Sequence, residues 1–463
     1  MSIVFQSFGA AQEVTGSKHL IQLNDKSCLV DCGMFQGKRA KTQERNSKLP
    51  FEAENLDSVV LSHGHFDHCG NLPSLKNNGY DGNIYATAAT RDIANLIMMD
   101  SAHIMAKDHE FMQRKHPDKK AYEPIYDSQD VLDTLQQFMT VSYDRQFKLP
   151  AGASCRFLDA GHILGSSVVL LENEDGRVAF TGDLGRLGLP ILKDPQPLPP
   201  VDYLICEGTY GNRLHDPIED AQQQLGEVIR QTVNRGGKVV IPSFAVGRTQ
   251  ELVYFLHLLK DQNQIPADLE IFVDSPMAVN ATSIFRVHQE CYDEDTNRAF
   301  LEHHTNPFGF EGLRYVSDVS ESKALNTKQE PCIIISSSGM CEAGRILHHL
   351  KNNIPDSRNT VLIVGFMAQH TLGRRIADRE PEVKIFGDMY PLKAQVKILN
   401  TFSAHADYND IKNYVSKLDL GRLKRIYLVH GETDALENLQ QVLKSIGVRE
   451  VEIVVSGKKY QLF

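Results

Sequence analysis

LSHGHFDHCG, residues 61–70, decides how the rest of this chain is read. It closes the apolar run DSVVL and places His63, His65, Asp67 and His68 within six residues. A packed core avoids such a concentration of nitrogen and oxygen ligands, whereas a metal site requires it. Alternation continued past the strand aims His63 and His65 the same way and lets Asp67 and His68 turn towards a second ion. Gly64 and Gly70 remove bulk that would hinder tight wrapping. Four ligands are too many for one open catalytic zinc and too few for two. A two-metal clamp, with ions about 3.5–4 Å apart and suited to phosphoryl chemistry, therefore needs further ligands. DAGHILGS offers His162, AFTGDLGR offers Asp183 and VHGE offers His430, each after a strand-like run and beside a glycine. Asp31, in LVDCG, is either a second-layer partner that orients a histidine or a turn-forming aspartate.

Outward from this stretch, SIVFQSFG, HLIQLN and SCLVDCG are short β-branched runs broken by Gly, Asn and Asp, and read as strands. From about 86 to 140 the apolar spacing turns helical, as in ATRDIANLIMMDSAHIMAK. Strands return in SSVVLLENEDGRVAFTGD, with a hairpin expected at Asp175-Gly176. A different rhythm holds from about 214 to 390, where KVVIPSFA, LEIFVDSP, PCIIISSSG and TVLIVGF alternate with helical segments. Continuous apolar strands between helices predict a parallel sheet buried on both faces. KRIYLVHGE, DALENLQQVLKSIG and VEIVVSG then resume the first pattern. The reading is one mixed β/α fold interrupted by a parallel α/β insertion, divided as 1–208, 209–394 and 395–463.

Composition narrows the function classes. Lys and Arg number 49 against 59 Asp and Glu, a net charge of −10, which excludes a uniformly basic nucleic-acid coat but leaves room for a local basic channel. GKRAKTQERNSK (37–48) and RKHPDKK (114–120) are the two basic stretches; each reads as a solvated loop, and the first, next to DCGMFQG, also as a guide for a nucleic-acid backbone. The longest apolar run, Val361–Ala368, is far too short to cross a bilayer, and MSIVFQSFGAAQEV carries no secretory pattern, so a cytoplasmic protein is expected. The eight scattered cysteines read as reduced core residues.

HxHxDH, then a later His, an Asp and a C-terminal His, resembles the metallo-β-lactamase fold, an αββα sandwich with two metals at one edge of its sheets. The resemblance implies that His63, His65 and His162 hold one zinc, that Asp67, His68 and His430 hold the second, and that Asp183 bridges them. Another divalent metal in place of Zn2+ is left open. That fold hosts many activities, and the insertion separates them. ICEGTYGN puts Glu207 where the insertion begins, and NTFSAHADYNDI puts His405 where the chain returns, ahead of a helix with Asp407 as its cap. Glu207 and His405 would meet in the cleft between the domains. These marks resemble the β-CASP nucleases, a branch that includes RNase J and the endonuclease subunit of the cleavage and polyadenylation factor; the resemblance spans essentially the whole chain. It implies an α/β fold with a β-CASP domain inserted into the sandwich, of the compact bacterial type.

The function implied is a zinc-dependent ribonuclease acting on single-stranded RNA in RNA processing or decay, with His430 on the RNA rather than the DNA side of the branch. Asp67 belongs to the catalytic group, His405 suits the role of general acid towards the leaving ribose oxygen, and Glu207 would hold its imidazole protonated. Ser336, Ser337, Ser338 and Gly339, in ISSSGM, would cradle a phosphate at a helix start, and Ser243 and Arg248, in PSFAVGRTQE, would bind another. Arg374 and Arg375 read better as a solvated helix face. The competing readings are a DNA nuclease of the same branch, a thioesterase- or lactonase-type metallohydrolase, which gives no reason for Glu207 and His405, and a non-catalytic RNA-binding scaffold, which gives none for a complete ligand set. Endo- versus 5′-exonucleolytic cleavage and a homodimer are left open.

Overall fold

The computed structural model describes residues 3–23, 25–37, 39–115, 123–150, 152–299, 306–365, 367 and 370–463. Lys38, residues 116–120 and the side chains of Arg39 and Lys41 lie outside the described residues, and with them much of both basic stretches. The chain divides into two units: residues 1–187, 192–214 and 405–463 form one, and residues 188–191 and 215–404 the other.

In the first unit, two seven-stranded sheets are built from the segments expected to be strands. One runs Lys459–Gln461, Ile3–Gly9, Lys18–Leu23, Lys26–Val30, Ser58–Val60, Ile84–Ala86 and Phe138–Thr140. The other runs Val451–Ile453, Arg425–Val429, Tyr203–Glu207, Arg177–Phe180, Ser167–Glu172, Ser154–Asp159 and Phe147–Lys148. Successive side chains on a strand point to opposite faces, and the buried residues separate accordingly. Phe5, Ile21, Val30 and Val60 of one sheet meet Phe157, Val169, Phe180, Ile205 and Tyr427 of the other in a shared inner core.

The alternate positions turn outwards under helices. Leu29, Val59 and Leu61 pack with Ala94 and Met98 of the helix Ala88–Lys115. Leu170, Ala179, Leu204 and Leu428 pack with Ile411 and Val415 of Tyr408–Ser416 and with Leu436 and Leu439 of Thr433–Ser445. The result is the four-layer αββα sandwich, with the Asp175-Gly176 hairpin joining its antiparallel strands Ser167–Glu172 and Arg177–Phe180. All eight cysteines are buried, and none forms a disulfide.

The second unit is the parallel α/β insertion. Its six strands lie in the order Leu313–Tyr315, Glu270–Val273, Cys332–Ser336, Val239–Pro242, Thr360–Ile363 and Gln395–Ile398, every neighbouring pair parallel. Val239 and Ile241 face one helical layer, including Leu252 and Leu256 of Arg248–Asp261. Val240 faces the opposite layer, with Ile346 and Leu350 of Ile346–Asn353. Burial on both faces explains the unbroken apolar strands. No helix among the described residues is long and apolar enough to cross a membrane.

Candidate metal centre

The strand Ser58–Val60 is followed by Leu61, and the chain then turns sharply into the four-residue helix Phe66–Cys69. The turn runs hard against the helix Ala88–Lys115: a Cβ on Gly64 would lie 2.5 Å from Ile93 Cγ2, so glycine is required there. His63 and His65 fall on the turn, Asp67 and His68 on the short helix. His162 follows the strand Ser154–Asp159, Asp183 follows Arg177–Phe180, and His430 follows Arg425–Val429. Strand ends of both sheets thus deliver all seven residues to one edge. Asp31 and His430 both adopt left-handed backbone, with φ of 61° and 51°. Non-glycine residues carry that strain most often where function requires it.

Among the described residues, three groups of ligand atoms result: two are built from the seven expected ligands, and the third joins Asp183 to Glu207 and His405. One ligand atom each from His63, His65, His162 and Asp183 lies within 4.8 Å of every other, and Asp67, His68 and His430 form a second such group. Asp183 faces both. Its Oδ2 is 3.4 Å from His63 Nε2 and 3.5 Å from His162 Nε2, while its Oδ1 is 3.3 Å from His68 Nε2 and 3.6 Å from His430 Nδ1. His430 Nε2 is 3.2 Å from His68 Nε2 and 3.3 Å from Asp67 Oδ2.

Hydrogen bonds behind the ligands fix which nitrogens face inwards. Ser62 Oγ donates to Asp31 Oδ2 at 2.8 Å, so it accepts from His63 Nδ1 at 3.0 Å and leaves His63 Nε2 as a lone pair aimed at Asp183. His68 Nδ1 donates to Asp31 Oδ2 at 2.7 Å, which turns His68 Nε2 inwards. Asp31 also accepts from the Ser62 amide at 2.7 Å, so it orients two ligands from behind. Thr209 Oγ1 donates to the His430 carbonyl at 3.1 Å and takes His430 Nδ1 at 3.0 Å. His63 Nε2 and Asp183 Oδ1 are buried with no hydrogen-bond partner among the described residues. Lone pairs and a carboxylate facing one another in a buried site fit a bound cation and little else.

Electrostatics agree. Burial, then the neighbouring His68, lowers the His63 imidazole to about 4, and burial with His405 holds His162 well below its usual value; both are neutral, as ligands must be. Burial favours neutral Asp183, but the imidazoles of His430, His68 and His63 outweigh it and hold the carboxyl well below the usual range. His68 is raised despite burial, because Asp183 and Asp31 favour positive charge at that position. A divalent ion supplies the same charge.

Glu207 and His405 meet within the sandwich unit itself rather than across two domains. Buried Glu207 accepts from the Leu184 amide through Oε1 at 2.6 Å and from the Thr209 amide through Oε2 at 3.2 Å. His405 Nδ1 lies 3.2 Å from Oε1 of the same carboxylate and 3.9 Å from Asp183 Oδ2. Its ring stands 4.5 Å, centroid to centroid, from that of His162, and 21% of its side chain is exposed. Backbone bridges pair Gly185 with His405 and Tyr210 with Asp407, and Asp407 caps the next helix through the Asn409 and Asp410 amides. Burial would lower the His405 imidazole, but Glu207, with Asp183 and Asp67 behind it, lifts it to about 9.

The expected phosphate contacts all fall in the second unit, at the carboxyl ends of two adjacent strands, where the Ser243 amide donates to the Ser336 carbonyl at 3.0 Å. Their side chains are largely engaged. Ser336 Oγ donates to the Asp274 carbonyl at 2.7 Å, Ser338 Oγ accepts from the Glu342 and Ala343 amides, and buried Arg248 pairs with Glu251. Ser243 Oγ lies 3.1 Å from Thr249 Oγ1, and Gly339 packs against the Phe244 ring. Ser337 Oγ is buried with no hydrogen-bond partner among the described residues. Arg374 pairs with Asp378 at 2.9 Å on an exposed helix face.

Ser62 and Thr209 escaped the sequence reading. Their only signal is position: one directly precedes the HxHxDH motif, and the other lies two residues after Glu207.

Family models match three stretches: residues 15–135 as metallo-beta-lactamase superfamily, 249–376 as Beta-Casp domain, and 389–455 as Zn-dependent metallo-hydrolase RNA specificity domain. Ribonuclease TTHA0252 of Thermus thermophilus is 36% identical over 451 residues, which cover 97% of this chain and 98% of that protein. Transcription termination factor FttA of Methanocaldococcus jannaschii is 31% identical over 92% of this chain and 66% of its own length, and that of Methanosarcina mazei is 31% identical over 94% and 67%. The crystal structure of a protein of unknown function from Enterococcus faecalis V583 covers 100% of both chains with a TM-score of 0.57 and 13% identity, a likeness of fold. Sandwich, insertion and ligand-type residues together place the chain in the β-CASP family of the metallo-β-lactamase superfamily.

Proposed function

We propose that this protein is a metal-dependent ribonuclease that hydrolyses RNA phosphodiester bonds with two divalent ions, zinc in the first instance. His63, His65 and His162 would hold one ion, Asp67, His68 and His430 the other, and Asp183 both. The observation that carries this reading is the disposition of Asp183, whose two oxygens face different ligand groups. When bound, such a pair supplies electrophilic stabilisation of the phosphoryl oxygens and a deprotonated water at neutral pH.

The chain's own groups complete the chemistry. Asp31 and Ser62 hold His63 and His68 in the tautomers that present Nε2, and Thr209 does the same for His430. His405 gives a proton from its outer ring nitrogen to the departing ribose oxygen, because its Nδ1 is held by Glu207. Glu207 keeps the imidazole charged and is itself fixed by two backbone amides. RNA as substrate is supported by the Thermus relative's name and by the RNA specificity domain matched at 389–455.

The test is digestion by metal-loaded protein of RNA labelled at the 5′ or 3′ end, alongside matched DNA and simple thioesters and lactones. Metal-dependent cleavage of RNA alone is expected, and the product ladders separate internal from 5′-terminal cutting. Turnover of the esters without RNA cleavage would remove the nuclease reading.

A further inference from the structure

The insertion's sheet has a crevice that the metal centre does not explain. The strand Val239–Pro242 sends its chain into Arg248–Asp261 on one face of the sheet. Its neighbours on either side, Cys332–Ser336 and Thr360–Ile363, lead to Ile346–Asn353 and Leu372–Ala377 on the other face. Loops that part in this way at the carboxyl ends of parallel strands leave the crevice in which α/β folds bind ligands. The two flanking loops are tied together, since the Gly373 amide donates to the Met340 carbonyl at 3.1 Å and the Leu372 amide to Glu342 Oε1 at 2.7 Å.

Phe244 occupies that crevice. The loop buries its small residues, with Ala245 and Val246 each 6% exposed, and leaves its largest apolar side chain 43% exposed. Packing alone favours the reverse. One side of the ring rests on the backbone of Gly339, where a Cβ would fall 2.8 Å from the ring, and its edge reaches Gly365, where a Cβ would be 4.0 Å away. Gly339 thus makes room for an aromatic ring, whereas at Gly365 a Cβ would only touch it. Its carbonyl is anchored by Thr249 Oγ1 at 2.7 Å, so the ring stands on a fixed backbone.

We propose that Phe244 is a stacking platform for one nucleobase of single-stranded RNA, a subsite of the insertion that reads a π-face and not a sequence. This rests on the ribonuclease reading above. An aromatic face accepts any base, and the loss of such a platform by truncation costs roughly five- to 150-fold in affinity.

The test uses the metal-loaded full chain and a set of short RNAs, each lacking the base at one position. For wild type, one abasic position is expected to raise KM within that range with kcat little changed. In Phe244→Leu the intact RNA should show the same rise and that position should become silent, while Phe244→Tyr should behave as wild type. Wild-type cleavage of RNA with no abasic penalty that vanishes in Phe244→Leu would overturn the subsite and leave the nuclease intact. A wild type that cuts no RNA would instead remove both. Should Phe244→Leu fail to fold, 2-aminopurine walked along the RNA decides with wild type alone. Quenching at one position supports the platform, and a bright signal at all of them overturns it.

Discussion

His405→Ala separates proton donation from metal binding. His405 Nδ1 lies 3.9 Å from Asp183 Oδ2, the same distance as His65 Nδ1, but it faces the Glu207 carboxylate at 3.2 Å, so it turns an N–H rather than a lone pair towards the ligand groups. Metal content is therefore expected to stay near that of wild type. Glu207 keeps its Leu184 and Thr209 amide donors, so the fold is expected to hold. RNA turnover should fall by about 10²–10⁴, the range of general-acid catalysis, or roughly 3–5 kcal/mol of barrier. On a phosphodiester whose leaving group is p-nitrophenolate, which departs without a proton, the defect should shrink towards unity. Glu207→Gln should give a milder loss and move the alkaline limb of the rate profile to lower pH, because the carboxylate that raises the imidazole is gone. The assay is steady-state cleavage of both substrates with metal content measured on the same samples. Loss of a metal, or an equal defect on both substrates, would make His405 a ligand or a positioning group and would refute the assignment.

Asp183→Asn should reduce metal content and nearly abolish cleavage, since one carboxylate carries charge for both ligand groups; two tightly held ions and near-normal rates, measured by elemental analysis and RNA digestion, would exclude it. In the insertion, buried Asp274 takes Arg345 at 2.6 Å, with His349 and Ser322 each at 2.5 Å. Burial would raise its carboxyl, but the hydrogen bonds from His349, Ser322 and Arg345 outweigh this and hold it below the usual 3.8. A lowered carboxylate stabilises the fold above its unfolded pKa and ceases to do so as pH falls through the folded one. Asp274→Asn should therefore cost roughly 3–5 kcal/mol at pH 7 and lessen the loss of stability below about pH 4, read by denaturant titration at several pH values.

That these side chains gather at one site was legible in the sequence because chemistry concentrates them: four donor side chains in six residues serve a cation far better than they serve a packed core. The division into sandwich and insertion followed from local periodicity, because strands buried on one face and strands buried on both carry different patterns. Side-chain partners were not legible. Arg248 after a glycine loop looked like a phosphate ligand, yet Glu251 lies three residues on along the same helix and takes it. Asp274 in LEIFVDSP gave no sign of collecting Arg345 and His349, 71 and 75 residues further along the chain. Ser62 and Thr209 act through hydroxyl hydrogens whose direction only the assembled site sets.

Titration of zinc into metal-free protein, with RNA cleavage and bound metal followed together, bears most directly on the pairing of the two ligand groups through Asp183. Saturation at two ions per chain is expected, with cleavage rising as the second is bound and lost again on chelation. Saturation at one ion per chain with full RNA cleavage, or cleavage that survives removal of all metal, would contradict it.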